Sequence, residues 1–232
     1  MANFLMIDTE TMNATPDDRN NLLVYDVGFA VIDQKGKVME KHSYIIKECF
    51  FEMKNIMREA YYASKIPLYY DGIEDGTREV ADFLDVYYKI QKVVKKYEVV
   101  AAVAHNMGFD YAALNATLRY LTKSKKRWFF PYGLPLYDTL KMARQVWGKS
   151  DKYKRWCVAN GYLTNHSTPQ VRLTAEILFR YITKQFDFVE AHTGLEDVMI
   201  EKYIFVACYN SRKCKDKELW GRSNSSPSLC LQ

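Results

Sequence analysis

The stretch "YEVVAAVAHNMGFDYAALNATLRYL", residues 97–121, decides the fold. Its first part is a continuous apolar run of strand length, bounded by charge on one side and by His105-Asn106 on the other. An uninterrupted run of this kind reads as a strand over 98–105 buried on both faces, which calls for helices flanking a parallel sheet. The segment from Phe109 to Leu121 then reads as a helix, with Asp110 at the junction. That junction is the carboxyl end of the strand, where open α/β sheets place their ligands.

Upstream, the first fifty residues read as a β-meander. "NFLMID" (3–8), "NLLVYDVGFAVID" (21–33) and "KVMEKHSYIIKE" (37–48) are rich in β-branched and aromatic residues. The polar stretch 9–21 separates the first two, and "QKGK" (34–37) offers a tight turn between the others. Helical spacing follows in Phe50, Met53, Met57 and Tyr61, broken at Pro67. Thr77 is expected to cap a helix with Val80, Leu84, Tyr87, Gln91 and Val94 along one side.

Downstream, "LPLY" (134–137) reads as a short strand and "DTLKMARQVWG" (138–148) as a helix capped by Asp138. Ser167 or Thr168 is expected to cap a further helix with Pro169 in its first turn and Val171, Ala175, Leu178 and Ile182 on one face. A last helix starts near Gly194, with Leu195, Met199 and Val206 facing inward. From about Cys208 the periodicity is lost in a basic, then Ser-rich segment, so 1–208 is expected to be the domain and 209–232 a flexible tail.

The 232 residues suit one domain, and 48% hydrophobic with 26% charged residues is the balance of a globular protein. A net charge of +5 permits a polyanionic partner without requiring one. The five cysteines, Cys49, Cys157, Cys208, Cys214 and Cys230, form no C-x-x-C pair and are odd in number, as in a reducing compartment. With no signal-like N-terminus and no run of membrane-spanning length, a cytoplasmic protein without membrane partners is expected.

Asp8 and Glu10 lie two apart on the first strand, so both side chains leave the same face. Such a pair repels itself unless a cation sits between, and an all-oxygen acidic site suits Mg²⁺ or Mn²⁺. Asp110 and Asp197 are further carboxylates, and His192 precedes Asp197 by five residues. In one continuous helix these last two would be rotated about 140° apart. Gly194 between them instead places His192 in the loop before the helix. From there it reaches over the metals and takes a proton from an attacking water.

Three motifs then stand in order: "DTET" (8–11), "HNMGFD" (105–110) and "HTGLED" (192–197). Over residues 3–207, including "LYDTLKMAR" (136–144) and "RLTAEILFRYI" (172–182), the chain resembles the DEDDh 3′–5′ exonucleases, the DnaQ-like family that includes the proofreading subunit of the bacterial replicative polymerase. The resemblance implies a ribonuclease H-like fold, a mixed five-stranded sheet flanked by helices. It implies two Mg²⁺ or Mn²⁺ ions held by Asp8, Glu10, Asp110 and Asp197, with His192 as general base. Thr11, Met12 and Asn106 would contact the substrate. A tyrosine-type relative would carry Tyr four residues before the final Asp, where this chain has Thr193. Met12-Asn13 also replaces the Thr-Gly commoner in the family.

The implied activity is release of nucleoside 5′-monophosphates from single-stranded 3′ ends, with DNA favoured over RNA. The chain would act alone or beside a DNA polymerase in a replication or repair assembly. An RNA-trimming nuclease and a polymerase-docking subunit with weak activity are the alternatives. The remaining features have plainer readings. His105 is structural, the aromatic and Met stripe at 50–62 is core, and the cations in "TKSKKRWFF" (122–130) form a solvated helix end, with contact to a nucleic-acid backbone as the functional alternative.

Overall fold

A computed structural model describes residues 2–12, 22–215 and 219–223. Asn13 and most of the 9–21 connection therefore lie outside the described residues. One mixed sheet organises the fold. Its strands are β1 (Asn3–Thr11), β2 (Val24–Asp33), β3 (Val38–Ile46), β4 (Glu79–Ala81), β5 (Val99–Ala104), β6 (Pro135–Asp138) and β7 (Leu219–Arg222), ordered β4-β3-β2-β1-β5-β6-β7. The meander β1–β2–β3 is antiparallel, β1–β5, β5–β6 and β3–β4 are parallel, and β7 returns antiparallel to β6.

The central five strands, β3-β2-β1-β5-β6, are those expected from the sequence. Two short edge strands are additional. β4 falls where Thr77 was expected to begin a helix, and Thr77 instead closes a turn on Asp75. β7 falls inside the expected tail, where Cys214 is also buried. Sequence periodicity does not register a strand of three or four residues that completes an edge through backbone hydrogen bonds alone.

Alternation along β1 sorts its side chains into two layers. Leu5 and Ile7 join one core with Val27, Phe29, Ala102 and Ala104. Phe4 and Met6 join the other with Ala30, Ile32, Ala101 and Val103. The first layer packs under α3 (Phe83–Lys96) and α4 (Met107–Leu121). The second packs under α5 (Thr139–Val146), α6 (Asp151–Ala159), α7 (Ala175–Thr183) and α8 (Gly194–Tyr209). Asp8 and Glu10 continue the Phe4–Met6 face, so they project toward the α8 layer.

Several expected elements shift. The stripe at 50–62 is not one helix: a π-helical turn (Glu48–Glu52), α1 (Lys54–Met57) and a 3₁₀ turn (Ala63–Lys65) follow one another, and Pro67 opens α2 (Ile66–Glu74) instead of ending a helix. Proline fits a first turn, where its missing N–H costs nothing. In α3 the buried face is Phe83, Val86, Ile90, Val93 and Val94; of the expected face, Val94 is buried and Leu84 and Tyr87 are half-buried against the same core. Residues 162–172 form a hairpin instead of a capped helix, with Leu163 bridging Val171, and the helix waits until Ala175. In α8 the buried side is Asp197, Val198, Ile200, Glu201, Ile204, Phe205 and Cys208, and Leu195, Met199 and Val206 are only half-buried.

Two glycines set how closely α8 approaches the sheet. A Cβ on Gly28 of β2 would lie 2.0 Å from the Gly194 carbonyl carbon and the Leu195 nitrogen, and one on Gly194 would lie 2.5 Å from the Gly28 nitrogen. Gly28 pairs with Asp8 across the sheet, so this backbone contact fixes the height of α8 beside the first motif. No helix among the described residues is long and apolar enough to cross a membrane.

Candidate active site

The candidate residues converge at the carboxyl end of β1 and β5, on the floor of a cleft of about 1500 Å³. Asp8, Glu10 and Asp197 place carboxylate oxygens within 4.8 Å of one another. Asp110, on the first turn of α4, reaches the same floor from the opposite layer and accepts a hydrogen bond from Thr9 Oγ1 at 2.9 Å. It lies four residues after Asn106, the N-cap of that helix. His192 sits in the loop before α8, as expected, and lies within 4.8 Å of Asp197 and Glu190.

Burial and mutual repulsion make these acids reluctant to ionise. Asp8, desolvated and facing Glu201, Asp110, Glu10 and Asp197, is held well above the usual carboxylate range. Burial, with neighbouring acids adding, pushes Glu10 up to about 9 and Asp197 to about 8, and burial takes Asp110 to about 7. Asp197 Oδ1 and Glu201 Oε2 are buried without a hydrogen-bond partner among the described residues. Orphaned, crowded, oxygen-only donors are what a hard divalent cation satisfies, so the residues present fit Mg²⁺ or Mn²⁺.

Sequence reasoning missed two acids here. Glu201 is one turn after Asp197 on the same side of α8, 3% exposed, and lines the floor. The i, i+4 spacing was readable, but Glu201 was not assigned to the inward face. Glu190 puts Oε2 3.7 Å from His192 Nδ1, and burial raises it to about 7.

His192 itself is held in a constrained pose, at φ +51°. The Tyr62 ring stacks on it with centroids 4.9 Å apart and planes 14° apart. Lys65 Nζ donates to the carbonyls of Ala191 and His192. The stripe at 50–62, expected to be core, divides: Phe50 and Met57 are core, whereas Tyr62 borders the cleft.

Behind the floor, Asp26 anchors α8. Fully buried, it accepts from Gly194 N at 2.9 Å and from Tyr69 Oη at 3.0 Å, with Arg78 3.8 Å away. Arg78 also pairs with Glu196 at 2.9 Å. Asp138 caps α5 as expected, accepting from Leu140 and Lys141, and also from the backbone of left-handed Asn106. His105 has both ring nitrogens occupied, by Thr139 Oγ1 and the Leu173 carbonyl, each at 2.9 Å, in keeping with a structural role.

The expected substrate contacts divide. Asn106 is exposed and lines the cleft. Met12 is fully buried in the core, its N–H bonded to the Leu23 carbonyl, and Thr11 is not part of the cleft lining. Strict alternation would put Met12 on the same face as Glu10, but the register shift between Glu10 and Thr11 breaks that pattern, and Met12 packs in the Leu5–Ile7 layer instead. The cations of 122–130 are also outside the lining, and Lys126 lies over the rings of Tyr87 and Tyr88.

No family model matches the chain, and no curated protein does. Solved structures do. Cell-death related nuclease 4 is 12% identical with a TM-score of 0.53, over 90% of this chain and 64% of that one. Exonuclease X in complex with 5′ overhanging duplex DNA is 15% identical, TM-score 0.41, over 90% and 92% of the two chains. E. coli Exonuclease I in complex with a dA16 oligonucleotide is 14% identical, TM-score 0.45; this chain covers 40% of its length. The likeness establishes the fold: the helix-flanked mixed sheet is ribonuclease H-like.

Proposed function

We propose that the chain is a metal-dependent 3′–5′ exonuclease of the histidine class, releasing nucleoside 5′-monophosphates from single-stranded ends. The observation that carries this reading is the convergence of Asp8, Glu10 and Asp197 within 4.8 Å, with His192 on the rim beside Asp197. These residues come from positions almost the whole chain apart, and they meet at the sheet's carboxyl end in an open cleft.

Asp8, Glu10, Asp110 and Asp197 would hold two divalent ions, with Glu201 behind them. Such a pair supplies charge neutralisation at a phosphodiester and lowers the pKa of a water. His192 takes the proton of the attacking water, and Glu190 steadies the resulting charge. Tyr62 and Lys65 keep the ring and its backbone in place. Asn106, at the cleft edge, offers its amide to the terminal nucleotide.

The polarity rests on the order and spacing of the three motifs, and DNA is the first substrate to test. Matched 5′-labelled DNA and RNA strands, incubated with Mg²⁺, Mn²⁺ or EDTA, give the test. We expect a ladder of shortened, 5′-labelled products with either metal and none in EDTA, and resistance in strands ending in a 3′-phosphate. Efficient cutting of a circular single strand would replace the exonuclease reading with an endonuclease.

A further inference from the structure

The charges of the cleft are segregated. The carboxylates lining it, Asp8, Glu10, Asp110, Asp197 and Glu201 on the floor and Glu190 beside His192, gather about the candidate site. The Lys and Arg residues lining it are Arg144, Lys149, Lys154 and Arg172, all within 140–175. All four are exposed, and none is ion-paired to a carboxylate among the described residues.

This wall is built. Its rim is the 162–172 hairpin, closed by the Leu163–Val171 bridge and by Thr164 N to the Gln170 carbonyl at 2.8 Å. Tyr153 of α6 donates to the Arg172 carbonyl at 2.6 Å, locking the rim to the helix that bears Lys154. Half-buried Leu140, Leu163 and Leu173 line the cleft beside the cations. Arg144 is near enough to His105 for its charge to help push that imidazole down, so it marks the inner end of the row.

An acidic floor repels a polyanion, so a strand reaching it needs cations along its approach, and those cations must not be neutralised by the floor itself. We propose that this wall is a phosphate track for single-stranded nucleic acid, on which Arg144, Lys149, Lys154 and Arg172 hold the backbone that extends away from the reacting end. The track rests on the nuclease reading above and adds where the rest of the substrate lies. Cations along the wall, in a cleft also lined by the rings of Tyr62 and Phe109, suit a flexible strand whose bases are free to stack better than a duplex.

The test compares R144A/K149A/K154A with its parent. Arg172 is left intact because its Nε bonds the Leu163 carbonyl and supports the hairpin. Binding of a fluorescein-labelled oligothymidylate is followed by anisotropy across a KCl series, both proteins carrying Asp8→Ala to hold turnover. Each lost phosphate contact flattens the log–log salt dependence by ~0.7 for a single strand, so the triple variant should flatten it by ~2 and bind at least about tenfold more weakly at low salt. With Asp8 intact, hydrolysis of thymidine 5′-monophosphate p-nitrophenyl ester, which has no backbone to lie on the track, should change less than about twofold. Should the triple variant not fold, Lys149→Ala and Lys154→Ala singly carry the same test, at ~0.7 each.

An unchanged slope and affinity would overturn the track, and so would polyglutamate competing as well as the oligonucleotide. Ester hydrolysis by every variant with an unchanged slope leaves the nuclease reading standing and removes the track alone. A flattened slope in a protein whose parent cannot hydrolyse the ester does the reverse.

Discussion

Glu201 shows how burial turns an ordinary helical residue into part of a site. It lies four residues after Asp197, its Oε2 has no hydrogen-bond partner among the described residues, and its charge is the largest electrostatic influence on Asp8 after burial. We expect Glu201→Gln to raise the melting temperature of the metal-free protein, because it removes one of several crowded acids. The same change should raise the half-saturating Mn²⁺ concentration roughly 10–100-fold, as loss of an outer partner does. Calorimetric Mn²⁺ titration and differential scanning fluorimetry check both; a Gln variant less stable without metal would make Glu201 a structural residue. His192→Ala should lower kcat by ~10²–10⁴-fold with little change in oligonucleotide binding. Burial and Lys65 hold the His192 imidazole below its usual 6.5, so the parental rate should rise with pH below neutrality and that limb should vanish in the variant. Parental rates in His192→Ala across the neutral range would remove it from the mechanism.

The contact between β2 and α8 is the element on which the site depends most. Gly28→Ala sets a methyl carbon 2.0 Å from backbone atoms of α8, with no flexible side chain to give way. We expect a loss of about 3 kcal/mol, the upper end for overpacking, and a fall in activity larger than the loss of folded protein explains. Chemical denaturation paired with active-site titration separates the two. Parental stability in Gly28→Ala would mean that α8 does not sit this close to the sheet. The elements legible in the sequence were those whose pattern is set locally. The unbroken run Val99–Ala104, the Gly36 turn and the Gly194 break all read correctly. What escaped depends on partners distant in the chain. Gly28 reads as an unremarkable strand residue until α8 lies on it, and Asp26 as a surface acid until Gly194 N donates to it. β4 and β7 exist because β3 and β6 offer edges. The 162–172 hairpin overrides a passable capping signal because cross-strand and α6 contacts outbid a lone Pro169 turn.

Across the whole molecule, the cluster makes stability depend on pH and on metal together. Glu10, Asp110, Glu190 and Asp197 are raised to about 9, 7, 7 and 8, whereas in the unfolded chain such acids titrate near 4. Between these values the folded protein binds more protons, so its stability is greatest at the acid side of that window and falls as pH rises from about 5 to 9. In chelator the melting temperature should decline through this range, and Mn²⁺ should remove most of the decline, because the cation takes over from the protons. A melting temperature independent of pH in chelator would mean that these acids are not buried together. The central claim is that the Asp8–Glu10–Asp197 floor holds metal against a nucleotide phosphate. Its most direct test is an anomalous difference map from a crystal soaked with Mn²⁺ and thymidine 5′-monophosphate. We expect manganese between Asp8 and Asp197, next to Glu10, with the phosphate of the nucleotide on it and His192 facing that phosphate. Manganese absent from this floor, or a nucleotide bound with its phosphate elsewhere, would contradict the claim.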